Sequence, residues 1–277
     1  MIPIGLNLTS MGVTSAWWLD AARQAERAGF SAVWCWDHSI SRGKKTTPVL
    51  ECWTTLTATA ALTSTLMVGS FVDNVMNRQP AILARMVATL SEQSGARVEL
   101  GMGVGGNEDE AVAYGIPFPA PRERVEILEE AVAVIRLLWG GGPADFSGRH
   151  FQLHDAWSYP VPQPVPRIII GGEKPAGARL AARVGDGWTT NAPDYEHLLP
   201  IHLAELAAHG RTRRQVAHLV AVSLERDVPI ERQPLIADMT SFLGEWRDRG
   251  ADELIVDWVR PAQLSALLEA AARAGLP

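Results

Sequence analysis

Short apolar runs alternate with one-sided helical patterns from one end of the chain to the other. The runs Ile2–Leu8, Ser31–Trp36, Leu66–Val72, Arg97–Gly103, Arg167–Gly171, Gly187–Thr190, Val216–Leu224 and Glu253–Asp257 are largely apolar, which predicts eight buried strands. Between them the apolar spacing changes to three and four. This predicts helices over Ser15–Ala28, Glu51–Leu62, Gln79–Ser91, Arg122–Trp139, Ala176–Val184, Tyr195–Ala208, Gln233–Arg249 and Pro261–Ala274. Val125, Leu128, Val132 and Ile135 mark one such face. Ser15 is a candidate cap for the first helix, Gly29 its stop, and Pro261 suits the first turn of the last. Strands alternating with helices imply a parallel sheet. Eight such units imply an α/β fold of the (β/α)8 TIM-like barrel type rather than a doubly wound sheet. The turn after the first strand, NLTSMG, also lacks the GxGxxG of a dinucleotide fold.

One stretch breaks this rhythm. Gly140–Pro166 is rich in Gly and Pro and has no helical period, with a small hairpin expected at Phe146–Leu153 around Ser147-Gly148. An irregular insertion of this length is either a lid over a site or a spacer between units. No repeat or second domain is visible, so residues 1–277 are expected to form one domain with 140–166 as insertion or lid.

Composition narrows the classes. With 277 residues and 47% hydrophobic, the chain can bury a large core. The formal net charge is −6 and no basic stripe occurs, which speaks against nucleic acid as a partner. The N-terminal sequence MIPIGLNLTSMGV lacks the basic and apolar regions of a signal peptide, and no run is long enough for a membrane helix. Cys35 and Cys52 make neither a disulfide framework nor a CxxC motif, so a reduced, cytoplasmic protein is expected.

Four segments carry candidate chemistry. In AERAGFSAVWCWDHS, Asp37 and His38 directly follow a strand, at the end where parallel folds bind ligands. They are candidates for catalysis, or a cap and an ordinary loop residue. In GSFVDNVMNRQP, the polar residues Asp73, Asn74 and Asn77 would shape the barrel top, and Arg78 is placed to meet an anion or a carboxylate. In GMGVGGNEDE, glycines would let a ligand approach the backbone or would serve a tight turn. In IIIGGEKPAGARLAARVGDGW, a strand runs through Gly171-Gly172 into a helix start, a ready anion site to which Lys174 adds charge. There is no Walker lysine motif, no HExxH, no GxSxG, and only the loop pair His150 and His154 at a spacing of four, so no metal is expected. Trp17, Trp18, Trp53 and Trp139 read as core, whereas Trp36 and Trp157 are expected at the mouth.

Together these segments resemble the luciferase-like monooxygenase superfamily, and within it the oxidoreductases that use coenzyme F-420, a deazaflavin. The resemblance rests on AERAGFSAVWCWDH, PVLECWTTLTATAALT, VGSFVDNVMNRQPAILARMVATLSEQSGARVELGMGVGGNE, YGIPFP with RVEILEEAVAVIRLLW, and PRIIIGGEKPAGARLAARVGDGW, in that order along nearly the whole chain. It implies a TIM-like barrel holding a flavin-type ring at its carboxyl face. Asp37 and His38 would lie beside the ring, with His38 handling the proton and Asp37 orienting it. Ser70, Phe71, Val72 and Asn74 would back the ring, with a cis peptide at Ser70–Phe71. Gly103, Val104 and Gly105 would flank it. Gly171, Gly172, Glu173 and the helix start at Ala176 would hold the phosphate. Asn7, Trp36 and Trp157 would line the substrate pocket. The chain also departs from the family pattern. Many relatives have an aromatic at the position of Gly106 and a proline near Val75, and the loop SISRGKKTTP lacks the tryptophan of sugar-phosphate-oxidising members. Its basic Arg42, Lys44 and Lys45 either meet the cofactor's acidic tail or an anionic substrate, or are a solvated loop.

The resulting expectation is hydride transfer between F-420 and a small organic substrate. The alternatives are an FMN-dependent monooxygenase supplied by a separate flavin reductase, and a flavin-binding barrel without catalysis. A homodimer is expected from the family habit.

Overall fold

The computed structural model describes residues 1–41 and 43–277. Eight parallel strands close a ring: β1 (Ile4–Leu8), β2 (Ala32–Cys35), β3 (Met67–Ser70), β5 (Val98–Gly103), β8 (Ile168–Gly171), β9 (Gly187–Asn191), β10 (Ala217–Ser223) and β11 (Glu253–Val259). Pairing of Val68 with Val98 and Gly69 with Glu99 joins β3 to β5 and closes the barrel. A two-residue strand β4 (Asp73–Asn74) extends the β5 edge at the carboxyl end. All eight expected strands are present.

The helices are α1 (Ser15–Arg27), α2 (Cys52–Leu62), α3 (Pro80–Ser94), α4 (Glu108–Ala113), α5 (Pro121–Leu138), α6 (Pro175–Val184), α7 (Ala192–Ala208), α8 (Pro234–Ala237), α9 (Met239–Asp248) and α10 (Pro261–Ala274). Three differ from expectation. The cap of α1 is Thr14, not Ser15, because Thr14 keeps an extended backbone and its hydroxyl accepts from the Trp17 N–H. The helix expected over Gln233–Arg249 breaks at Asp238, which is non-helical and caps α9 through the Ser241 N–H. The short α4 lies in the acidic stretch after the glycines and was not expected.

Strand alternation sends side chains to two cores. Ala32, Trp34, Ile169, Leu219 and Ile255 fill the barrel interior. Leu6, Val33, Leu100, Ile170 and Leu254 face outward onto Trp18, Leu83, Leu128, Leu198 and Leu267 of the helices. Deep in the amino end, Arg167 donates to Glu99 (2.7 Å) and Glu253 (2.6 Å).

The insertion forms the expected hairpin, β6 (Ala144–Ser147) with β7 (Gln152–Ala156). It joins the end of α5 to the start of β8, so it leaves from the amino face of the barrel. Its turn folds back along α5, where the Glu130 carboxylate accepts the N–H groups of Arg149, His150 and Phe151. It therefore lies on the flank and does not cover the mouth as a lid.

Candidate active site

The carboxyl ends of the strands bring most of the expected residues to one mouth. Asn7 lies on β1 and Trp36, Asp37 and His38 follow β2. Ser70–Asn74 leave β3, Gly103–Gly105 close β5, and Gly171–Ala176 follow β8.

Asp37 is buried, and its carboxylate is held by the scaffold. Arg78 grips both oxygens (2.9 and 2.7 Å), while Asn77 Nδ2 (2.9 Å) and the Asn74 N–H (3.1 Å) donate to Oδ2. Arg78 also binds Asp73 (2.9 Å) and Glu51 (2.7 Å), so the anion that it meets is a cluster of carboxylates. Burial, then the charge of Asp37, pushes the Asp73 carboxyl well above its usual range, and Trp53 Nε1 donates to it at 2.7 Å. On Asp37, Oδ2 takes three of these bonds and Oδ1 one, a scaffold grip that suits the orienting role expected of it.

His38 is a quarter exposed, and its Nδ1 lies 2.8 Å from Glu110 Oε2. Glu110 also accepts the N–H groups of Ser39 and Ile40. Burial pushes this carboxyl up, but the bonds from His38, Ser39 and Ile40 outweigh it and hold Glu110 below its usual range. An ionised Glu110 accepts, so Nδ1 carries a proton, and Nε2 has no partner among the described residues. Sequence reasoning missed Glu110. The signal was Asn107, whose side chain caps α4 and so sets the Glu110 carboxylate one turn into the helix.

Trp36 packs edge-on to His38 (5.9 Å) and against Trp258 (5.7 Å). A bulge places three steps of β11 against two of β1, from Leu6↔Val256 to Leu8↔Val259, and aims Asp257 and Trp258 inward. Asn7 Nδ2 donates to Asp257 Oδ1 at 2.6 Å, and burial pushes the Asp257 carboxyl up. Asn7 Oδ1 and Thr189 Oγ1 are buried without a partner in the interior, Asn7 in register with Trp34 and Thr189 with Leu219.

The glycines at the carboxyl ends of β5 and β8 have a structural reason. A Cβ on Gly101 would run into the Ser70 carbonyl, and Cβ atoms on Gly103 and Gly171 would lie 2.6 and 3.1 Å from the same Val72 methyl. They make room for the Ser70–Val72 segment, which crosses the mouth beneath them. The cis bond is Phe71–Val72, one residue beyond the expected Ser70–Phe71. Ser70 is still in the ladder, paired with Cys35, and the Phe71 N–H still donates to the Cys35 carbonyl, so the chain departs only after Phe71. Arg124 holds the next loop through the Val104 and Gly105 carbonyls (3.2 and 2.7 Å).

At α6 no side chain caps the helix start, and Pro175 has no N–H, so the first-turn amides face the mouth without a side-chain acceptor. Glu173 is tied to Asn191 at 2.9 Å. One expectation falls away from the mouth. Trp157 is 56% exposed beside Gly142, just past the end of α5, and therefore sits at the amino face. Lys44 and Lys45 are exposed, and Arg42 lies outside the described residues. A cavity of about 830 Å³ opens at the amino end, but Arg167, Arg213 and Asp252 lining it are already ion-paired with one another or with neighbouring carboxylates. Among the described residues no cluster could hold a metal, and no helix is long and apolar enough to cross a membrane.

Known proteins resemble this chain in sequence and in fold. The chain is 35% identical over 217 residues to an F420-dependent glucose-6-phosphate dehydrogenase of Kineococcus radiotolerans, covering 75% of this chain and 63% of that one. It is 35% identical over 193 residues to an F420-dependent hydroxymycolic acid dehydrogenase of Mycobacterium tuberculosis, covering 69% and 53%. These alignments thus span only about half to two thirds of the relatives' length. A solved F420-dependent secondary alcohol dehydrogenase, bound to an F420-acetone adduct, superposes with a TM-score of 0.84 over 99% of both chains at 21% identity, which shows the fold. Residues 8–225 match the luciferase-like monooxygenase family, and they carry the His38 loop, the Ser70–Val72 crossing and the uncapped α6 start; the chain belongs to that family.

Proposed function

We propose that the protein is an F420-linked oxidoreductase that interconverts an alcohol and its carbonyl. The observation that carries this reading is the His38–Glu110 pair, a positioned base with a free Nε2 at a barrel mouth. The F420-dependent relatives support the cofactor, and their names, which denote hydroxyl-bearing compounds, support the substrate class. The residues present suit a ring with a phosphate arm. The uncapped α6 start offers amides to an anion, and the Phe71–Val72 segment and Val104 offer an apolar surface to a ring. When bound, the deazaflavin supplies a hydride acceptor or donor. His38 Nε2 takes the hydroxyl proton as the carbon–hydrogen electron pair leaves, or returns it in reduction, and Glu110 steadies the imidazolium formed. Trp36 and Trp258 keep water from the reacting carbon. Asn7, Thr189 and Asp257 offer hydrogen bonds to the substrate's polar groups. The proposal includes a reduced cytoplasmic setting, which the two buried free cysteines support, and a homodimer.

Titration of the purified protein with F420 and with FMN tests the cofactor. Tight F420 binding without FMN binding is expected. Tight FMN binding, with oxygen consumed only when a flavin reductase is present, would overturn the proposal in favour of a monooxygenase. Binding of either without turnover of any alcohol or carbonyl would leave a ligand-binding barrel. His38→Ala is expected to lower turnover by about 10²–10⁴-fold with little change in cofactor affinity.

A further inference from the structure

Behind the β8–α6 turn lies a buried group of rings that the proposed reaction does not use. Trp188 of β9 is 1% exposed and His202 of α7 is fully buried. Their rings stack with centroids 4.5 Å apart and planes 15° from parallel. Each makes one polar bond to the turn, and the two bonds fall on opposite sides of it. Trp188 Nε1 donates to the Gly172 carbonyl (3.3 Å), and His202 Nδ1 donates to the Ala178 carbonyl (2.8 Å). Between these points the chain is pinched. A Cβ on Gly172 would lie 2.6 Å from the Gly177 backbone, and one on Gly177 2.5 Å from that of Gly172. Burial holds His202 below its ordinary pKa and so neutral, and donation through Nδ1 leaves Nε2 as a lone pair without a partner. Tyr195 and His218, joined at 2.9 Å, wall off the other side.

We infer that Trp188 and His202 form a positioning clamp for the cofactor's phosphate: they fix the Gly172–Ala178 turn so that its amides are aligned before the anion arrives. This rests on the cofactor reading above. Neither residue touches the ligand. The clamp acts because amides held in place bind an anion without first losing backbone freedom.

The test is binding, not turnover. Dissociation constants are measured by fluorescence titration for F420 and for the same deazaflavin lacking its phosphate arm. His202→Leu and Trp188→Phe remove one donor each and should weaken F420 about tenfold. His202→Asn keeps an N–H at the Nδ1 position and should stay within about threefold of the native protein. None should alter affinity for the phosphate-free ring. Equal weakening of both ligands, equal effects of Asn and Leu, or no effect of Leu would overturn the clamp. If His202→Leu does not fold, Trp188→Phe against the native protein decides. If the native protein binds FMN instead of F420, the cofactor reading fails, and the same variants with FMN and riboflavin judge the clamp. If it binds neither ring, both fail.

Discussion

Arg78 holds three carboxylates at once, and its removal would leave Asp73 fully buried beside Asp37 without a cation. Breaking a buried pair by deleting one partner costs about 3–5 kcal/mol. Arg78→Met is therefore expected to lower unfolding free energy by about that much in urea titration, and a loss under about 1 kcal/mol would remove Arg78 from this role. The consequence reaches His38, because Asp37 is the residue that Arg78 and Asn77 fix immediately before it. The adjacency of Asp37 and His38 after a strand was readable from the residues alone. Glu110 was not, because it lies 72 positions away and meets His38 only when the β5–α4 loop folds over the mouth. Asp257 escaped notice for a similar reason: it reads as the polar end of an apolar strand until the bulge aims it inward.

Elements follow from local pattern where the pattern is long. The eight strands and the one-sided helices came from apolar spacing, which a buried sheet and its covering helices require. Short or interrupted elements did not. The six residues of α4 hold too few positions to show a period, and the break at Asp238 is decided by a cap bond rather than by hydrophobicity. The crossing of Ser70–Val72 under β5 is likewise a tertiary event, and it explains glycines that the sequence offered as ligand contacts. Gly103→Ala should cost about 1–3 kcal/mol by driving its methyl into Val72. Adding Val72→Ala in the same chain should recover part of that loss, a coupling that a double-mutant cycle in denaturant reads directly. Strict additivity would show that Gly103 is needed for some other reason.

The whole molecule carries buried titratable groups of opposite sense. Burial, with Arg213 and His202 nearby, lowers His218 to about 2, so it stays neutral when folded but takes up a proton when unfolded below about 6.5, and burial lowers His202 in the same direction. Below that pH the unfolded state binds more protons at His218, and stability falls as pH falls, by about 1.4 kcal/mol per pH unit for that site. Glu99 works the other way. Burial, with Glu253 adding, pushes it up to about 7 against Arg167, so its contribution is present at low pH and is lost as pH rises through 7. Asp73 and Asp257, also raised by burial, act in the same sense as Glu99, so the slope of melting temperature against pH below about 6.5 sums both senses and single variants read each group. His218→Gln should flatten that slope by about one proton's worth; an unchanged slope would show that His218 is not the group that titrates. The sequence by itself determined the barrel, the end of it that carries chemistry, and the Asp37-His38 and Gly171-Gly172 turns. All of these are set by the alternation of apolar strands and helices and by what directly follows a strand. Only the tertiary structure decided that the insertion lies on the flank with Trp157 at the far face, that Asp37 is occupied by Arg78, and that Glu110 is the partner of His38. Those outcomes depend on which distant loops share the mouth, and that is fixed by ring closure and packing.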